Sequence, residues 1–368
     1  MGADGFQRAG LYDPDAPDAA DRLALLEWLT EQGISLDELI DGSRRERLSS
    51  LVGDRIIRPG RRLAVAEIAS RAGISVERVH QIRRASGLST AGSDDKVFTD
   101  ADVDLFVAFE FAVALFGDQS ALQFVRVLGS SLARLAETVN SMFLEEVEQP
   151  LMAERRGQLA LAQANVEVTR ALDTVPDVMN ILFREHVEEA IRRSLASRAA
   201  TGSTETGRMA IGFVDLVGFT PLSQQLDARE LAAVVENFEA TAFDLVSSHE
   251  GRVVKLIGDE VMFATVEAAA ACEVALGLAE AFAGDGNVTP RGAVASGPVL
   301  SRGGDYYGAV VNLASRAAEL AVPYEILTTA TVRDHAAAGD ASLGFEPAGR
   351  RMLKGFADPV ELFTVRRV

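Results

Sequence analysis

The spacing of apolar positions changes character about halfway along the chain. Up to about residue 195, apolar residues recur every three or four positions, the period of helices packed on one face. Leu23, Leu25, Leu26 and Leu29 mark one helix, and Leu105 to Leu115 and Phe124 to Leu135 mark two more. Val147 to Leu172 predicts a single long helix, entered near Pro150 and broken by Pro176. Met179 to Ala199 predicts a further amphipathic helix, with Ile181, Leu182, Ile191 and Leu195 set against Arg184, Glu185, Glu188, Glu189, Arg192 and Arg193. A polar Gly/Ser/Thr-rich linker, 200–207, follows.

From Arg208 onward, short β-branched runs alternate with helical stretches. Strand 209–215 leads to helix 223–249, then a hairpin of strands 251–256 and 260–265 turning at Gly258-Asp259. Helix 267–283, strand 290–299, helix 308–321, strand 325–328, helix 329–337 and a strand pair near 345–350 and 360–366 complete the order. The expectation is an all-α domain over 1–175, a helical linker over 176–207 and an α+β domain over 208–368. The α+β part should be a ferredoxin-like βααββαβ core, an antiparallel sheet with its helices on one face.

Two predicted strands end in carboxylates. Asp215 closes Met209-Ala-Ile-Gly-Phe-Val-Asp, and Asp259 sits in Val253-Val-Lys-Leu-Ile-Gly-Asp-Glu-Val-Met-Phe263. Hard oxygen ligands at two strand ends suit a phosphate-bound Mg²⁺. A capping carboxylate is the plainer account of Asp215 alone; a second one in the same context weakens it. After Asp215, Gly218 permits close backbone approach, and the amides through Phe219 and Thr220 open a helix, a place to hold a triphosphate. Lys255 alternates onto the same strand face as Asp259 and is either a donor to a base nitrogen or a solvated lysine. A third cluster reads Gly303-Gly-Asp-Tyr-Tyr-Gly-Ala-Val-Val-Asn-Leu-Ala-Ser-Arg316. On a helix its Asn312 and Arg316 lie one turn apart, able to position a ribose and neutralise charge on a phosphoryl group.

Together these phrases resemble the catalytic domain of class III nucleotidyl cyclases, over roughly residues 205 to 368. The resemblance implies that Asp215 and Asp259 bind two divalent metal ions (Mg²⁺ or Mn²⁺), that Lys255 and Asp305 select adenine, and that Asn312 and Arg316 act in the transition state. Lys354, in Arg351-Met-Leu-Lys-Gly-Phe, looks like a phosphate-contacting lysine. The base-selecting pair implies ATP rather than GTP, giving cyclic AMP and pyrophosphate. The resemblance further implies that each site is shared between subunits, hence a homodimer. The whole chain is similar to actinobacterial soluble cyclases that carry a helical regulatory domain, some of them autoinhibited or responsive to pH or fatty acids.

Composition narrows the rest. Net charge is −18, against generic attraction to nucleic acid or anionic lipid. Cys272 is the only cysteine, which excludes an intrachain disulfide framework and a cysteine-based zinc site. The longest apolar stretch, Val103 to Phe116, is interrupted by Asp104 and Glu110. It falls short of the ~20 residues a membrane span takes, and no signal peptide is evident, so a cytoplasmic protein is expected. Residues 63–88 look like a helix-turn-helix, with Gly73 in the turn, Ser75 as cap and several arginines nearby. DNA binding is one reading; a structural tri-helical element is the favoured one, since Glu77 and His80 occupy the would-be recognition helix and the chain is acidic. The helix with Phe106, Phe109, Phe111 and Phe116 could line a pocket for an acyl chain or simply pack a core. His186, just before the catalytic domain, and more weakly His335, are candidate pH-sensing residues.

Overall fold

The computed structural model describes residues 2–90, 92, 95–199, 206–283, 288–339 and 342–368. Of Thr220, Ala228, Ala338 and Gly339 only the backbone is described. The chain divides into two compact units, Met1–Phe183 and Arg184–Val368. Among the described residues no helix is long and apolar enough to cross a membrane.

The first unit holds helices α1 (Ala3–Arg8), α2 (Ala19–Glu31), α3 (Leu36–Arg44), α4 (Leu51–Ile57), α5 (Val65–Ala72), α6 (Val76–Ala85), α7 (Asp102–Phe116), α8 (Asp118–Phe143), α9 (Gln149–Ala153) and α10 (Gln158–Ala171). A small pair of strands, β1 (Leu63–Ala64) and β2 (Lys96–Phe98), flanks the helix-turn-helix. The helix α11 (Val175–Ala199) runs across the division and contains most of the expected linker; residues 200–205 of that linker lie outside the described residues.

Two apolar cores form in this unit. One joins Phe6, Leu25, Leu29 and Val52 to Ala162 and Val166 of α10. The other joins Ile68 and Val79 of the helix-turn-helix to Phe98, Phe106, Phe109 and Leu122. Ser75 caps α6 as expected, its side chain accepting from the Arg78 amide.

The single helix expected over 147–172 is not formed. Its first part continues α8 through a π-helical stretch, Leu144–Glu148, into α9, and the chain turns at Arg155 with φ +55° before α10 begins. Pro150 follows that π stretch in the first turn of α9, where a proline is tolerated. The expected end near Leu172 is met: α10 stops at Ala171, a 3-10 turn covers Leu172–Thr174, and Pro176 falls just inside the next helix. It occupies the first turn of α11, where a proline leaves no intrahelical bond unmade.

The second unit is built on an eight-stranded sheet: β3 (Gly207–Val217), β4 (Arg252–Ile257), β5 (Glu260–Thr265), β6 (Thr289–Arg302), β7 (Asp305–Tyr307), β8 (Ile326–Thr329), β9 (Leu343–Arg351) and β10 (Val360–Arg367). Their order is β4-β5-β3-β6-β8-β10-β9, with β7 folded back on β6. The β6–β8 pair is parallel and the others described are antiparallel. Strand alternation sends Ala210, Val214 and Leu216 to one face and Met209, Ile211 and Phe213 to the other. On the first face pack α13 (Ala228–Ser248), α14 (Ala268–Ala281) and α16 (Ala330–Gly339), entered through the short α12 (Phe219–Ser223). On the second lies α15 (Ala309–Ala318), through Val310, Ala314 and Ala317. The expectation that all helices share one face is therefore corrected. Both faces of β3 and β6 are apolar, so both need cover.

Candidate active site

The antiparallel ladders bring distant residues to one end of the sheet. Asp215 of β3 lies opposite Glu260 of β5 on one side and Arg291 of β6 on the other. Gly258 (φ +65°) makes the tight β4–β5 turn that holds Asp259 beside them, and the Leu216 amide donates to the Asp259 carbonyl at 3.2 Å. Gly218 (φ +93°) turns the chain from β3 into α12, so that the backbone from Leu216 to Phe219 rims the same space. The cavity is about 380 Å³ and is lined by Asp215, Asp259, Glu260, Arg291, Phe219 and Ile257, among others. Phe219 also packs against the core beneath it. The Thr220 side chain lies outside the described residues.

Three carboxylates and one guanidinium meet here. Arg291 donates to Asp215 Oδ2 through Nε at 3.0 Å and Nη2 at 2.9 Å. Its Nη1 reaches the carbonyls of Glu319 and Ala321 just past α15, each at 3.4 Å. Burial, then the charges of Asp215, Asp259 and Glu319, push the Glu260 carboxyl up to about 7, with Arg291 opposing. Burial and the Asp215 charge also raise Asp259. Such a cluster is short of positive charge, and Arg291 already acts as a cationic partner for Asp215. The donor set fits divalent cations completed by oxygens of a substrate, since Asp215 and Asp259 supply too few ligands to enclose an ion alone.

The other expected residues form separate groups. Lys255 Nζ donates to Asp305 Oδ2 at 2.7 Å, joining β4 to the start of β7. The Tyr306 amide donates to Asp305 Oδ1 at 2.8 Å, so both carboxylate oxygens are held. Asn312 is exposed on α15, and Arg316, one turn on, pairs with Glu319. Lys354 is exposed between β9 and β10. None of Lys255, Asp305, Asn312, Arg316 or Lys354 lines the Asp215–Asp259 cavity. His186 is exposed on α11, and His335 is exposed on α16 with Nδ1 2.6 Å from the Thr331 carbonyl.

Sequence reasoning missed Arg291 and Glu260. The signal for Arg291 was a charge opening the otherwise apolar run 290–299, where burial demands a partner. Nothing local identified that partner as Asp215.

In the first unit, a cavity of about 550 Å³ opens between the helix-turn-helix, α7 and α8. Phe106, Phe109 and Phe124 line it, with Leu105, Leu128 and Leu132. Phe111 and Phe116, expected there, are 66% and 70% exposed and are not part of it. Several arginines of the helix-turn-helix region are paired within the unit. Arg58 pairs with Asp102, Arg61 with Glu67, Arg71 with Asp100, Arg78 with Glu110 and Asp118, and Arg84 with Glu77.

Residues 8–188 match the adenylate cyclase regulatory domain, and 202–366 match the adenylate and guanylate cyclase catalytic domain. An adenylate cyclase of Streptomyces coelicolor is 34% identical over 87% of this chain and 77% of its own length. A pH-sensitive adenylate cyclase of Mycobacterium tuberculosis is 33% identical over 95% of this chain and 88% of its own. An uncharacterized protein of the same species is 32% identical over 98% and 93%. Among solved structures, an adenylyl cyclase from P. aeruginosa aligns with 45% of this chain and 97% of its own at 24% identity and TM-score 0.40. A catalytic domain bearing the two-aspartate cavity, preceded by a matched regulatory domain and continuous along most of the chain with these relatives, places the protein in the class III adenylate cyclase family.

Proposed function

We propose that this enzyme converts ATP to 3′,5′-cyclic AMP and pyrophosphate at two equivalent sites, each shared between the subunits of a homodimer. The observation that carries the reading is the division of the six motif residues. In one chain, Asp215 and Asp259 line a cavity that Lys255, Asp305, Asn312 and Arg316 do not. Two chains placed head to tail would complete each cavity with the partner's half. Exposed apolar residues of α11 (Ile181, Leu182, Ile191 and Leu195, each 49% exposed or more) support self-association.

Asp215 and Asp259 are the residues that would hold divalent cations (Mg²⁺ or Mn²⁺), whose chemistry there is Lewis-acid activation and charge neutralisation. The ribose 3′-oxygen attacks the α-phosphorus and the bond to the bridging oxygen breaks. Pyrophosphate departs and the hydroxyl proton passes to solvent. Phe219 and the backbone through Thr220 rim the triphosphate. Lys255 and Asp305, held to one another, present a donor and an acceptor to the adenine edge. Asn312 orients the ribose, Arg316 stabilises charge on the phosphoryl oxygens, and Lys354 adds a phosphate contact. Arg291, already in the cavity, offers its guanidinium to the same phosphates.

Residues 1–175 would regulate this chemistry, with the linker 176–207 transmitting the state and inhibition as its sign. The apolar cavity of about 550 Å³ has room for an acyl chain or another small apolar ligand. His186 on α11, and secondarily His335, are the proposed pH-responsive groups. An unchanged activity–pH profile in His186→Ala would remove the first. The alternative, a DNA-binding nucleotide sensor, is weakened by the internal pairing of Arg71, Arg78 and Arg84.

The test is complementation. Asp215→Ala and Arg316→Ala chains should each be inactive with ATP, and their mixture should recover up to about a quarter of wild-type activity, since only heterodimers carry one intact site. Proven heterodimers without recovery would rule out shared sites.

A further inference from the structure

A second cavity in the catalytic unit, about 150 Å³, lies where the end of α11 meets the sheet, away from the Asp215–Asp259 cavity. Arg193 and Ser197 of α11, Arg252 of β4 and Tyr306 of β7 line it. The helix end is seated closely. Ser197 Oγ donates to the Arg208 carbonyl at 2.9 Å, and a Cβ on Gly207 would stand 2.0 Å from that oxygen.

Arg193 is an unusual occupant. Its side chain is only 15% exposed. Burial lowers its pKa, the Tyr306 side chain raises it as a hydrogen-bonding partner, and the nearby charges of Arg252 and Arg192 lower it. One carboxylate, Glu189, pairs with it at 3.1 Å. Held by Glu189 on its own helix, the guanidinium faces a small cavity whose opposite wall carries Tyr306 and Arg252.

Tyr306 sits next to the base-reading pair. Its ring is 9% exposed in the sheet core, and its amide fixes Asp305 Oδ1 while Lys255 fixes Oδ2. Arg252 secures the same hairpin, donating to the Gly304 carbonyl at 2.6 Å with its guanidinium 5.9 Å from the Tyr306 ring.

We propose that Arg193 is a positioning residue for base recognition: braced against Tyr306, it fixes the 303–307 hairpin and so the Asp305 carboxylate that reads the purine with Lys255. The inference rests on the assignment of base reading to Lys255 and Asp305 above. A shift of α11 moves the guanidinium, so the same contact ties linker position to nucleotide choice.

The experiment uses the full-length protein and measures the KM for ATP and the competition constant of GTP. Variants are Arg193→Ala, Arg193→Lys, Tyr306→Phe, the Arg193→Ala/Tyr306→Phe double and Asp305→Ala. Arg193→Ala and Tyr306→Phe should each erode the preference for ATP over GTP roughly 3- to 10-fold, the scale of one hydrogen bond. The double variant should lose no more than either single, and Arg193→Lys should recover part. Tyr306→Phe removes one oxygen and keeps the buried ring, so it reports even if Arg193→Ala unfolds. An unchanged preference in Tyr306→Phe, equal weakening of both nucleotides, or multiplying losses in the double would overturn the proposal. If Asp305→Ala also leaves the preference unchanged, the base-reading assignment fails; if Asp305→Ala shifts it and the Arg193 and Tyr306 variants do not, only the positioning role fails.

Discussion

Replacing Arg291 by methionine keeps most of the apolar stem and removes the one cation among Asp215, Asp259 and Glu260. Asp215 loses two charge-assisted hydrogen bonds, at 2.9 and 3.0 Å. Fully buried pairs cost ~3–5 kcal/mol when one partner is removed, and exposed pairs contribute ~0–1 kcal/mol. The two side chains are 28% and 22% exposed, which places this pair between those limits, at about 2 kcal/mol. For a unit of this size that is a fall in melting temperature of roughly 4–8 °C. The loss should be greatest at pH 8 with a chelator present, where Glu260 joins the other carboxylates in being charged. It should shrink at pH 6, where the raised pKa of Glu260 keeps that group mostly protonated. Millimolar Mn²⁺ should reduce it as well, by supplying another cation. Differential scanning calorimetry of the catalytic transition reads all three conditions. An equal loss in all three would show that Arg291 acts by packing alone; no loss at pH 8 would refute a stabilising pair.

Glu260 makes a separate prediction with a definite sign. Its native pKa of about 7 stands above the ordinary glutamate value of 4.5, so the native state holds an extra proton between those values. Stability from this group is present below pH 4.5 and is lost as pH rises through about 7. In chelator, Glu260→Gln should flatten that part of the melting profile and raise the melting temperature at pH 8; an unaltered slope would exclude Glu260 as its source. Gly212→Ala would place a Cβ 2.1 Å from the Phe263 ring, so a loss of ~1–3 kcal/mol in urea unfolding is expected, and wild-type stability would contradict the packing. In the first unit, wild type should bind a fluorescent fatty acid saturably and Ala133→Trp, which fills the apolar cavity, should not; no binding by wild type would refute the acyl pocket, and retained binding in the variant would place that ligand elsewhere. Residues 184–368 alone should produce cyclic AMP faster than the full chain if the first unit inhibits, and slower production would reverse the sign.

Most local structure was legible because its causes are local. The β-branched runs and the Gly258-Asp259 turn marked the β4–β5 hairpin, and Ser75 marked the start of α6. Asp215 and Asp259 stood out because a carboxylate at the end of an apolar strand has a narrow set of uses. The helix end near Leu172 was legible, whereas the path around Pro150 was misjudged because a proline's effect depends on its position within a turn. Pro150 follows the π stretch Leu144–Glu148 in the first turn of α9, and Pro176 sits in the first turn of α11, where a proline is tolerated.

The sequence alone thus determined the alternation of elements, the paired aspartates and the resemblance they carry. Tertiary structure decided what lies beside them. Arg291 meets Asp215 across 76 positions of chain because β3 and β6 pair in one register, and no local pattern encodes a register between distant strands. The raised pKa of Glu260 depends on burial and on three other carboxylates gathered from β3, the hairpin turn and the end of α15. Arg193 reads in the sequence as one more polar position on an amphipathic helix; only the packing of α11 against β3 turns it inward to Tyr306. Chemistry carried by a short phrase survives in the sequence, whereas electrostatics is a sum over neighbours that folding alone brings together.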